Sequence, residues 1–228
     1  MLRLLNIEFH KLRYSKSTKV LTLIYFILPL FIALLASIDF NFIGFNIHVA
    51  DQGIFNFPYI WHFNSFIISY LKLFLAIVIV SMMSNEYSNR TLKQNLIDGM
   101  SKKEFILSKF YTVLAFSAAS TVFVFLLSMI LGLSFSDYTE FSIIFSELEF
   151  LLAYFIKLVG FFSFCMFLGI LVKRSAFALG FLFVWWIIEK IVYLVVRFKI
   201  THTESATDYF MQFFPIEATY NVLKQPFT

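Results

Sequence analysis

Five apolar runs punctuate the chain, at residues 20–38, 61–83, 110–133, 150–172 and 176–196. Each is close to the roughly 20 residues a helix needs to cross hydrocarbon. Their apolar character is continuous, where a membrane barrel would alternate apolar with polar positions. Ahead of them, Leu2, Leu5, Phe9 and Leu12 recur at helical spacing, while Arg3, Asn6, His10 and Arg13 fall on another face. Such a helix lies in the headgroup plane. The pattern predicts an all-α fold, a polytopic transmembrane helix bundle forming one domain over residues 1–228. Its parts are an interfacial amphipathic helix at 1–19, five spans, a polar loop at 84–109 and a tail at 197–228. Pro29 is expected to bend the first span.

The polar segments fall into two kinds. Arg3, Lys11, Arg13, Lys16 and Lys19 precede the first run; Arg90, Lys93, Lys102, Lys103 and Lys109 separate the second from the third; Lys173 and Arg174 form the turn between the fourth and fifth. Segments 39–60 and 134–149 contain no Lys or Arg, and the latter carries Asp137, Glu140, Glu147 and Glu149. Loops retained in the cytoplasm keep positive charge. The alternation therefore predicts a cytoplasmic N-terminus and places the tail outside, where Arg197, Lys199 and Lys224 run against the rule.

Composition narrows the class further. With 60% hydrophobic and 14% charged residues, the chain is far poorer in charge than the ~25% of soluble domains. Its net charge of +4 resides in residues flanking spans, with no long basic tract, so nucleic acid is not implied as a partner. Cys165 is the only cysteine, which excludes an intrachain disulfide or a cysteine metal cluster. The first run is too long for a cleaved leader and no small-residue cleavage site follows it.

The loop at 84–109 has the most local order. Ser88 or Asn89 is placed to cap a short helix over 90–98, with Leu92, Leu96 and Ile97 as its apolar stripe. Gly99 follows where a helix ends in a left-handed turn. Ser101 and Glu104 then form a capping box that starts the third span. Within that span, Ala115/Ala119 and Ser128/Gly132 are small-residue pairs suited to close helix packing.

Lys72, Lys157, Glu189 and Lys190 fall inside apolar runs. Counted at 1.5 Å per residue, the first three lie roughly 16–23 Å above the inner surface. Either Glu189 pairs with Lys72 or Lys157 in the bundle, or each lysine snorkels to the outer interface. No phosphate-binding glycine loop and no H-E-x-x-H are present. His10, His48, His62 and His202 match no metal-ligand spacing, and neither a catalytic residue nor a cofactor is implied.

The stretch from Glu86 to Lys109 resembles the cytoplasmic loop of ABC-2-type transporter permeases. That family shows a Glu near the end of the second span, a Thr-Leu-basic step, a Leu-rich turn, a Ser-basic pair and a Lys heading the third span. These map onto Glu86, Thr91-Leu92-Lys93, Leu96, Ser101-Lys102 and Lys109; the family's acidic residue and Lys on the first helix map onto Glu8 and Lys11. The resemblance implies a multi-pass permease subunit of the inner (cytoplasmic) membrane, working in export or efflux. Its partners would be a separate ATP-binding-cassette ATPase, a second permease copy or paralogue, and the lipid bilayer. Glu86, Thr91, Leu92, Lys93, Leu96, Ile97, Gly99, Ser101 and Lys102 would couple it to the ATPase, which alone would hydrolyse ATP. Such permeases have six spans. Residues 215–223 resemble the outer segment before the sixth, which is expected to be missing here. Two other classes remain open: a membrane anchor of a non-transport complex, and a subunit of a membrane enzyme.

Overall fold

The computed structural model describes residues 2–36, 40–42, 45–47, 53–89, 91–97, 99–138 and 140–226, with side chains described for these except 2–4 and 40–47. His48, Arg90, Asp98 and the last two residues of the first apolar run lie outside the described residues, as do the side chains of Leu2 and Arg3.

The apolar runs fold as helices. They become α2 (Lys16–Ala36), a broken pair α3 (Tyr59–Tyr70) and α4 (Lys72–Ser88), α6 (Lys102–Phe135), α8 (Glu149–Val172) and α9 (Ser175–Val196). Four helices are long and apolar enough to cross a membrane, five if the bent pair counts as one. The continuous second run of the sequence is thus divided: α3 and α4 meet at 47°, with Leu71 alone between them. The remaining helices are short or polar: α1 (Leu2–Tyr14), α5 (Thr91–Ile97), α7 (Phe141–Ile144), α10 (Glu204–Met211) and α11 (Pro215–Asn221). Between α2 and α3 lies an antiparallel pair, β1 (Phe40–Phe42) and β2 (Phe45–Ile47), in the register Phe40 opposite Ile47.

Helix α8 stands at the centre, against α3, α4, α6, α9 and α11. Glycines set the closest approaches: a Cβ on Gly169 of α8 would sit 2.8 Å from the Met83 Cβ of α4. One on Gly132 of α6 would lie 2.3 Å from the Phe57 ring. The two small-residue pairs of α6 therefore part company. Ser128 is buried and accepts from Asn64 Nδ2 at 2.9 Å, whereas Ala115 and Ala119 are exposed. Pro29 is buried within a continuous α2.

The tail is folded. After α9 a π-helical turn, Arg197–Thr201, leads to α10 and α11, which return to pack on α8 and α9. Lys224 donates to Asp208 at 2.5 Å, a bond that lifts the Lys224 pKa above its ordinary value.

Candidate functional site

The site forms where α1, α4, α5 and α6 converge at the basic end of the bundle. Helix α4 brings Glu86 on its last turn, α6 brings Lys109 on its buried face, and α1 turns Glu8 inward. Lys109, with no exposed surface, donates to Glu8 Oε2 at 2.5 Å and to Glu86 Oε1 at 2.6 Å. Lys11, half-exposed at the rim, donates to the same Glu86 oxygen at 2.8 Å. Thr91, the first residue of α5, donates its hydroxyl to Glu86 Oε2. Two carboxylates thus share two ammonium groups, which is what lets Glu8, Glu86 and Lys109 sit out of bulk water. A cleft of about 320 Å³ opens onto the cluster past Ser15, Thr18 and Asn89.

Phe9, expected on the apolar stripe with Leu5 and Leu12, is 70% exposed, while Glu8 is buried. The ion pair to Lys109 holds Glu8 inward beside Leu12.

Helix α5 is fixed at both ends. Thr91, the first described residue of the helix, ties its start to Glu86. At its end Gly99 has φ 92°, its N–H reaches the Leu96 carbonyl and the Met100 N–H reaches that of Asn95. These two bonds form the Schellman pattern. The capping box follows: the Glu104 N–H donates to Ser101 Oγ at 3.2 Å and the Ser101 N–H to Glu104 Oε2 at 2.9 Å. Between these clamps Leu92 packs toward the bundle core, Leu96 is half-buried, Ile97 is 79% exposed and Lys93 is exposed. The predicted stripe is therefore split, with Ile97 the one of the three that is exposed. Lys102 is exposed beside the box.

At the other end of the bundle, neither Lys72 nor Lys157 pairs with Glu189. Glu189 instead accepts from Trp185 Nε1 at 2.5 Å and from the backbone N–H groups of Ile216 and Glu217 at 3.2 and 2.7 Å. It thereby satisfies the first turn of α11, where helix N–H groups lack intrahelical partners. Lys190 donates to both oxygens of Glu217, at 3.1 and 2.9 Å. Glu217 was missed in the sequence; the available signal was Pro215 opening a helix, with an acid in its first turn. The described histidines serve packing and backbone roles: His62 stacks on Phe150, His10 tilts against Tyr14, and His202 ends the π-helical turn.

Neither the curated proteins nor the solved structures contain a match to this chain. A family model, described as ABC-2 family transporter protein, matches residues 4–189. That span takes in most of α1, the charge cluster, α2 to α8 and the first part of α9, ending at Glu189. The chain belongs to the ABC-2 transporter family and is a multi-pass membrane permease.

Proposed function

We propose that this permease is the membrane-spanning subunit of an exporter whose ATP is hydrolysed on a separate ATP-binding-cassette ATPase, and that two permease subunits, identical or paralogous, form the translocation path between them. In this reading the basic end faces the cytoplasm of the inner membrane, and α5 seats on the ATPase. The observation that carries it is the double clamp on α5. A connecting loop needs neither a Schellman corner nor a tie from Thr91 to a buried carboxylate; a helix that transmits force needs both. Motion of α5 would pass through Thr91 and Glu86 into α4, and through Ser101 into α6.

The experiment is co-purification of the ATPase with tagged permease from native membranes, together with permease-stimulated ATP hydrolysis. Ile97→Asp is expected to weaken both while leaving the detergent melt unchanged, since Ile97 is 79% exposed. Leu92→Asp is expected to lower the melting temperature itself, because Leu92 packs on the permease's own core. If Ile97→Asp retains full ATPase binding and stimulation, α5 is not the seat.

A further inference from the structure

In the half of the bundle away from α5, Lys72, Lys157 and Lys190 lie near Glu189 and Glu217, and these two acids are already engaged. Glu217 receives Lys190, and Glu189 receives two backbone N–H groups and Trp185. Among the described residues, no carboxylate lies within ion-pair distance of Lys72 or Lys157. Lys157 is 2% exposed. One of its three N–H donors reaches the Leu223 carbonyl at 3.4 Å; its other contacts are the faces of Phe66 and Tyr220, at 5.9 and 5.5 Å. These are near the ~6 Å limit at which a ring face attracts a cation usefully. The Lys72 ammonium lies 4.3 Å from the centroid of Phe161. Phe161 is one helical turn beyond Lys157 on α8, so both ammonium groups belong to the same stretch of its buried face.

Two amines on the same stretch of an apolar bundle carry charge only at a cost, and ring faces alone compensate them poorly. A dianion between them would satisfy both. Access is lateral: Tyr70 and Leu73, on either side of Lys72 in the break between α3 and α4, are 55% and 54% exposed. We infer that Lys72 and Lys157 form a binding site for a phosphate group, the head of a lipid-like amphiphile whose tail stays in the surrounding hydrocarbon. The site belongs to the single chain and is independent of whether an ATPase docks at α5.

The test is equilibrium binding of radiolabelled dodecyl phosphate to the full chain in neutral dodecyl maltoside, with inorganic phosphate in a parallel arm. Saturable binding near one per chain is expected. Lys72→Met and Lys157→Met should each weaken it about tenfold or more, the loss of one charge-assisted contact. Lys199→Met removes an exposed charge near the same end and should leave binding as in the wild type, which separates the site from general attraction to a basic protein. Binding of dodecyl phosphate alone assigns the site to a lipid-like ligand; equal binding of inorganic phosphate assigns it to the free ion. Circular dichroism checks the fold of each variant. Should Lys157→Met not fold, Lys72→Met carries the comparison, its side chain being only half-buried. Wild-type binding that does not saturate, or folded lysine variants that bind as the wild type does, overturns the assignment.

Discussion

Lys109 is the residue on which the basic end turns. It is fully buried and hydrogen-bonds both carboxylates, whereas Lys11 at the rim hydrogen-bonds Glu86 and lies 4.0 Å from Glu8. Removing a buried partner strands the charges left behind, at a cost of about 3–5 kcal/mol. Lys109→Met leaves Glu8 and Glu86 to share the rim-side Lys11 and is expected to be the most damaging change in the cluster. Glu8→Gln leaves Lys109 still paired with Glu86 and should cost less. The double change should recover part of the loss, because one stranded acid goes with its partner. Chemical denaturation of the purified permease in detergent measures all three; strict additivity would mean that the contacts are not energetically coupled. The sequence offered each of these residue types at a named position. It did not show that they meet, because nothing in a helical period links residue 8 to residues 86 and 109.

Among the elements, the long helices were legible because each apolar run is about as long as a membrane span and holds at most two charges. The capping box and Gly99 were legible because their geometry depends on neighbours three or four residues away. The break at Leu71 was not. Neither Gly nor Pro marks it, and the polar residues beside it, Ser69, Tyr70 and Lys72, are compatible with an unbroken helix. The split stripe of α5 was equally hidden, since the side of a short helix that meets the bundle is set by tertiary packing. The glycines give an element-scale prediction. Gly169→Ala would push a methyl group to 2.8 Å from Met83 Cβ, an atom fixed to the α4 backbone. Overpacking of this kind costs about 1–3 kcal/mol, and shortening the Met83 side chain should not relieve it. Gly132→Ala clashes instead with the far end of the Phe57 ring, and Phe57→Leu should restore most of what it loses. Thermal melts of the two single and two double variants distinguish the cases. Rescue of Gly169→Ala by Met83→Ala would show that α4 and α8 are free to move apart.

At the scale of the whole molecule, the charges sort to the two ends of the bundle as the loops alternate. The cluster, α5 and the Lys173–Arg174 turn share one end; Asp137, Glu140 and Glu149 share the other. The tail lay beyond this logic. Its return onto α8 depends on Glu189 holding the first turn of α11 and on Gly160 lying against Thr219, where a Cβ would come within 3.3 Å. Neither contact leaves a periodic trace in the sequence. Orientation can be tested with single cysteines in a chain whose Cys165 is replaced by Ala, a buried site with room for the smaller residue. Lys102 is the better reporter for the basic end, because Ser101 caps α6 and its replacement would open the box. Glu140 is exposed and serves for the acidic end. With the basic end inside, a membrane-impermeant maleimide applied to intact cells should label Glu140→Cys and spare Lys102→Cys, and permeabilisation should expose both. Labelling of Lys102→Cys in intact cells, with Glu140→Cys protected, would invert the molecule, and α5 would then have no ATPase on its side of the membrane to engage.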